Sequence, residues 1–288
     1  MKRRILVWLL VLLLAMGAAA AEVIDGLGRA VSLDRVPERI VSLTPANTEI
    51  LYALGVGDKV VGADTYSDYP AEAAAIPRMG DYSGPNVELI AAAQPDVVFA
   101  STKLQIDAVE KLESLGLTVV CVEPDDYGEV LSGIARIARI VGADPGPLLE
   151  EITDKQVAAL SAIDRGVDAP TVYFALSFGE FGDYSAGPGT FLDELIRMAG
   201  AKNAAADAQY AWPMYSPEGI VALDPDVILI SDYVGDGAVV EQFAALPNYA
   251  GLRAVKEGRV YAVDEDLVSR PGPRIVEGLS EIVGALYQ

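Results

Sequence analysis

Apolar runs of strand length alternating with helical patterns, a block that recurs in both halves, and one helical stretch of about 20 residues between them predict an α/β protein. The expected class is two Rossmann-like lobes with mainly parallel sheets, joined by a single long helix. Residues 22–143 are expected to form the first lobe, 144–166 the connecting helix and 167–288 the second lobe. A chain of 288 residues exceeds the usual single-domain mode of about 100 to 150, which argues for two lobes.

Residues 1–21 read as an export signal: Lys2, Arg3 and Arg4, an apolar run from Ile5 to Met16, then small residues through Ala21. The run is short for a span that needs about 20 apolar residues, so cleavage before Glu22 is expected, with a retained N-terminal anchor as the alternative. No cysteine follows that could carry a lipid at a mature N-terminus. The mature protein is therefore expected in the periplasm or at the extracellular face of the membrane.

The chain has 21 basic and 42 acidic residues, a net −21 that becomes −24 once Lys2, Arg3 and Arg4 leave with the signal. Nucleic acid is excluded as a partner, because phosphate binding needs basic clusters. There is no histidine, which removes the commonest general base and the commonest transition-metal ligand. The single cysteine, Cys121, lies in the β-branched run TVVCVE and is expected to be a buried, inert thiol.

Taken in order, VIDGLGRAVSL alternates around Gly26 and Gly28 and predicts a short hairpin. RIVSL is a buried strand that runs into a helix capped by Thr44, with Pro45 at its first position and Gly55 past its end. KVVGAD is the next strand. It delivers the chain into Thr65 to Glu88, an aperiodic stretch bearing Tyr66, Tyr69 and Tyr82, and long loops with rings are more often functional than disordered. A short helix, the strand DVVFAS, a helix over 106–115 and the strand TVVCVE complete the first lobe. Tyr127 to Val141 is helical with Val130, Ile134, Ile137 and Val141 on one face, and the long stretch after Pro145 is the expected rigid crossing. The second lobe repeats the plan with strands TVYFAL, DVILIS and RVYAVD, helices over 191–198, 239–245 and about 273–286, and two loops rich in glycine and aromatics.

The recurrence reaches individual residues. ELIAAAQPDVVFAS and EGIVALDPDVILIS each place a glutamate eight positions before the aspartate of a Pro-Asp-Val strand opening, so Glu88 and Glu218 fall at equivalent points. A glutamate in a first helical turn is favoured by the dipole by about 0.3 to 1 kcal/mol, which needs no partner.

In open α/β sheets ligands bind outside the carboxyl ends of the strands. The loops leaving those ends carry Tyr66, Tyr82, Phe178, Phe181, Tyr184 and Trp212 together with Asp266 and Arg270. Any one ring has packing within its own loop as a sufficient explanation, but six on one edge predict a cleft whose flat rings suit a large, partly apolar ligand. No G-x-S-x-G or P-loop pattern occurs, and GPGT alone does not make a phosphate site. An extracytoplasmic enzyme would have only Asp64, Asp68 and Asp266 as acids in the cleft; no catalytic residue and no metal site are assigned.

At SLTPANTEILYALG, YSDYP and PNVELIAAAQPDVV the chain resembles the cobalamin-binding proteins of ABC importers, within the wider receptor family that also handles siderophores and haem. The resemblance covers the whole mature chain. It implies two α/β lobes joined by one long helix, a ligand between them, and no enzymatic activity or resident cofactor, cobalamin or a related corrinoid being the transported ligand. By position it implies that Tyr66 contacts the corrin and that Tyr82 stands where other members have tryptophan. Ser101 replaces an aromatic found in some members, which leaves one wall differently filled. Trp212, followed by Pro213, matches the family's tryptophan, and the 178–184 loop aligns loosely with its aromatic loop. Asp266 and Arg270 match a pair ahead of PRI that contacts the ligand's polar periphery. Glu88 and Glu218 match glutamates that dock onto the importer's permease, with the protein expected to act as a monomer. A ferric siderophore or haem is the alternative cargo; absent histidine counts against haem, although tyrosine can ligate iron.

Overall fold

The structure is a computed structural model that describes residues 21–287; the stretch expected to be an export signal lies outside the described residues, apart from Ala21. The chain divides into two compact units, one of residues 1–123 and 133–145 and one of residues 124–132 and 146–288.

In the first unit, β1 (Ala21–Ile24) and β2 (Ala30–Leu33) form the expected antiparallel hairpin. β3 (Ile40–Ser42) leads into α1 (Pro45–Ala53), whose Thr44 cap accepts the Asn47 N–H at 3.1 Å. β4 (Val60–Ala63), α2 (Val87–Ala92), β5 (Val97–Ala100), α3 (Ile106–Ser114) and β6 (Val119–Cys121) follow. The sheet order is β4-β3-β5-β6, all parallel. Its strands are short valine-rich runs with every residue of β3, β5 and β6 buried, as strands covered on both faces require. Cys121 is buried among them.

α4 (Tyr127–Val141) has the predicted face, with Val130, Ile134, Ile137 and Val141 all buried. Its residues are shared between the units: Tyr127 to Ser132 belong to the second and the remainder to the first. The Tyr127 N–H donates to Glu194 Oε2 at 2.8 Å, a partner 67 positions later in the chain. α5 (Gly146–Ser161), the stretch expected to cross between lobes, lies wholly in the second unit.

The second unit continues with β7 (Thr171–Ala175), β8 (Asp183–Tyr184), α6 (Phe191–Met198), β9 (Lys202–Asn203), β10 (Met214–Tyr215), α7 (Pro217–Leu223) and β11 (Val227–Asp232). α8 (Ala238–Ala245), α9 (Arg253–Lys256), β12 (Val260–Asp264), α10 (Glu265–Ser269) and α11 (Ile275–Tyr287) complete it. α5 packs on α11, where Lys155 pairs with Glu277 at 2.9 Å. The sheet order is β12-β11-β7-β9, again all parallel. Read from β9, it is the order of the first sheet, with the first strand second from the edge in both.

The repeat holds at atomic detail. Asp96, just before β5, accepts the N–H groups of Glu38 and Arg39 at 2.8 and 3.0 Å and pairs with Arg35 at 2.5 Å. Asp226, just before β11, accepts the Thr171 N–H and hydroxyl, both at 2.8 Å, and pairs with Arg253 at 2.7 Å. Each aspartate ties the entry of one inner strand to the entry of its neighbour. Two residues ahead of each, Gln94 and Asp224 take left-handed backbone angles, φ 48° and 38°.

Candidate functional site

The carboxyl ends of the first sheet carry two separate polar systems. Thr48 Oγ1 lies 2.8 Å from Ser42 Oγ and 2.8 Å from Ser67 Oγ, and Ser67 donates in turn to the Asp64 carboxylate. Asp64 also accepts the Tyr66 N–H at 3.0 Å, while Arg78 donates to the carbonyls of Asp64 and Ser67. This buried chain fastens the turn after β4 to the first turn of α1. The ring left outside is Tyr66, 58% exposed. Tyr69 is 46% exposed in the same turn.

The second system holds Tyr82. Its hydroxyl donates to Glu123 Oε1 at 2.6 Å and lies 3.2 Å from Ser101 Oγ. Glu123 further accepts the Ser101 hydroxyl at 2.6 Å and the Thr102 N–H and hydroxyl at 2.8 and 2.9 Å. Burial pushes the Tyr82 phenol up to about 12, and the bond to Glu123 adds to the rise. Burial works against ionising Glu123, but the bonds from Ser101, Tyr82 and Thr102 outweigh it and hold the carboxyl below its ordinary value. Ser101, read from sequence as a missing aromatic, is fully buried beneath this network. Glu123 was not singled out in the sequence, although an acid closing the buried run TVVCVE was the available signal.

In the second unit, β8 pairs with β10 as a two-residue antiparallel ribbon, Tyr184 opposite Met214. The ribbon is anchored to the end of β7 by the Leu176 N–H to the Tyr184 carbonyl at 2.9 Å. It is extended by Ser185 to Pro213 and Gly187 to Ala211 backbone bonds at 3.0 and 2.8 Å. A Cβ at Gly187 would stand 2.4 Å from the Tyr210 carbonyl oxygen, so the two loops zip only because that residue is glycine. The zip leaves Phe181 83%, Tyr184 40% and Trp212 53% exposed, with Tyr210 and Met214 beside them at 67% and 64%. The last two were not predicted, and two-residue strands have no periodicity by which to find them. Phe178 behaves differently. It packs edge-on against Phe243, centroids 5.3 Å apart, and Phe243 stacks on Tyr249, whose hydroxyl donates to Asp183. Phe178 thus anchors the loop that displays Phe181.

Asp264 closes β12 and caps α10 by accepting the Asp266 N–H at 2.9 Å. One turn carries Asp266 to Arg270, paired at 2.6 Å with side chains 35% and 11% exposed. Burial and the nearby charges of Asp266 and Asp264 raise the Glu265 carboxyl above its ordinary value. Glu88 and Glu218 are both exposed and both lie two residues past a cap, Asn86 for α2 and Ser216 for α7. The matching caps, strand clamps and left-handed residues make their positions equivalent within the two units.

A family model described as a periplasmic binding protein matches residues 40–267. The chain belongs to the periplasmic binding protein family. This periplasmic binding protein is 36% identical over 273 residues to an uncharacterized ABC transporter substrate-binding lipoprotein, YvrC, of Bacillus subtilis, covering 91% of this chain and 84% of that one. It is 32% identical over 273 residues to a cobalamin-binding protein of Halobacterium salinarum, covering 91% and 73%. Among solved structures, the periplasmic vitamin B12 binding protein BtuF of Vibrio cholerae aligns with a TM-score of 0.73 at 25% identity, covering 87% and 97%. The periplasmic heme-binding protein RhuT of Roseiflexus sp. RS-1 aligns with a TM-score of 0.76 at 29% identity, covering 87% and 98%. The expected fold class and the family resemblance are borne out, and the role is that of a substrate-binding protein.

Proposed function

We propose that this binding protein captures cobalamin or a related corrinoid outside the cytoplasm, exported by residues 1–21, and delivers it as a monomer to the permease of an ABC importer. The observation that carries the reading is that both sheets present rings on tied loops at their strand ends: the exposed Tyr66 and the half-buried Tyr82 in one unit, the exposed Phe181, Tyr184 and Trp212 in the other. Flat rings suit the faces of a macrocycle, each contributing about 0.5 to 1.5 kcal/mol beyond the area it buries. Asp266 and Arg270 present an acceptor and a donor to peripheral amides. Glu88 and Glu218 serve as the permease contacts, and no bond of the ligand is made or broken. The identity to a protein named for cobalamin binding supports this cargo.

Haem is the second reading, favoured by the alignment with a heme-binding protein. Among the described residues no group of three or more His, Cys, Asp or Glu side chains is placed to hold a metal ion; a tyrosine is the ligand this chain could offer to haem iron. Glu123 and Asp264 stand at the strand ends, Arg78 is engaged by backbone carbonyls and Arg270 by Asp266. That charge balance favours an amide-bearing ligand over one bearing carboxylates. Calorimetry of the mature protein with cyanocobalamin, cobinamide and haemin decides the matter. Binding of either corrinoid at a single site per chain is expected; tight binding of haemin with no heat from corrinoids refutes the proposal.

A further inference from the structure

We infer that the Tyr233–Val234 turn, at the carboxyl end of an inner strand of the second sheet, is a further contact for the cargo, and that Asp232 is its positioning residue. The inference rests on the corrinoid-binding reading and adds a site residue to it. Asp232, the last residue of β11, is only 5% exposed. Its carboxylate accepts three backbone N–H groups, those of Val234 at 3.1 Å, Gly235 at 2.9 Å and Gly237 at 2.8 Å. Burial alone would raise this carboxyl, yet the three bonds hold it below its ordinary value. Gly235 and Gly237 have φ of 75° and 73°, angles that L side chains rarely adopt, and a Cβ at either would meet nothing within 4 Å. The glycines are therefore required by the path of the turn and not by lack of room.

What this construction displays is apolar. Tyr233 is 69% and Val234 77% exposed. A buried carboxylate with all three of these bonds devoted to one turn fixes two large apolar side chains in water, where folding gains nothing from them. A preformed turn does reduce the ordering cost of binding. Its place decides what it binds. Asp232 is the register partner of Asp264 in the parallel β11–β12 pair, and Asp264 caps the helix that carries Asp266 and Arg270. Burial and the charge of Glu265, the first residue of that helix, raise the Tyr233 phenol above its ordinary value. The turn thus adjoins the Asp266–Arg270 pair, on the edge where ligands of parallel α/β sheets bind. The chemistry it fits is the apolar face or methyl-bearing rim of a flat macrocycle whose amides reach the ion pair.

The test is calorimetry with cyanocobalamin on purified mature wild type, Tyr233→Ala, Tyr233→Phe, Asp232→Asn and the double variant Asp232→Asn/Tyr233→Ala, with thermal melts alongside. Loss of the ring should weaken binding about tenfold, in the range of aromatic truncations at an interface, while Tyr233→Phe stays near wild type. If Asp232 acts through the turn, the double variant binds no more weakly than the weaker single one, whatever Asp232→Asn does to the melt. Wild-type affinity in Tyr233→Ala overturns the inference, and so does unchanged affinity with lost uptake in cells, which would assign the turn to the permease. Absence of heat from wild type with both cyanocobalamin and cobinamide refutes the corrinoid reading itself and this inference with it.

Discussion

Removing the Tyr82 hydroxyl while keeping its ring separates the holding of that ring from its use. In Tyr82→Phe, Glu123 keeps three of its donors, from Ser101 and Thr102, so the charge stays satisfied and one bond of 2.6 Å is lost. A bond to a charged group contributes about 1.5 to 3 kcal/mol, and the half-buried position of the phenol argues for the low end, about 1.5. The phenol, raised from 10 to about 12, also makes wild-type stability depend on alkaline pH. Between those values the unfolded state releases its proton while the folded state keeps it, so stability is full below pH 10 and falls as pH rises through 12. At about pH 11 the loss is one unit, about 1.4 kcal/mol at most after solvent screening. Urea unfolding should therefore show Tyr82→Phe about 1.5 kcal/mol less stable at about pH 9, with the gap nearly closed at about pH 11. Corrinoid affinity should change less than about threefold, because the ring remains. A gap of equal size at both pH values refutes the Tyr82–Glu123 coupling.

Replacing Asp226 by Ala should cost about 2 to 3 kcal/mol in urea unfolding, because it leaves the Thr171 N–H without its acceptor and reduces Arg253 to its contacts with Asp224. Asp96→Ala should cost a similar amount, and a difference of more than about twofold would count against equivalent clamps. Reversing both Glu88 and Glu218 to Lys should abolish uptake in cells while calorimetry finds cargo affinity nearly unchanged; an equal fall in affinity removes their docking role. Cys121 is fully buried with its thiol pushed up to about 12 by burial, so native protein should resist Ellman's reagent at about pH 8 and react fully in urea.

The legible parts of the fold were those with periodicity or punctuation. The Thr44–Pro45 helix start, the span of Tyr127 to Val141 and the span of Phe191 to Met198 all appear where the pattern put them. The Pro-Asp-Val recurrence pointed to two lobes of one design, and the two parallel sheets share one strand order. Pieces too short to carry a period were not legible: β8, β10, α9 and α10 are two to five residues long and are set by tertiary bonds. The length of α5 pointed to a crossing, but helix length does not reveal a partner, and its pairing with Glu277 draws on residues more than a hundred positions away. At the site, residue type identified the rings. It did not separate Phe178, turned into the core, from Phe181, turned out, because that depends on Phe243 and Tyr249. Glu123 and Asp232 escaped notice because their roles lie in bonds to residues that only the fold brings together.

The bond from Tyr127 to Glu194 bears on the order in which the molecule can be completed. Residues 133–141 of α4 find their neighbours in the first unit, most of which precedes them in the chain, whereas the first turns of the same helix belong with a partner 67 positions further on. Until Glu194 is in place the Tyr127 N–H lacks this acceptor, and its ring is buried to 4% exposure only in the finished protein. α4 is therefore completed only once residues of the second unit have folded.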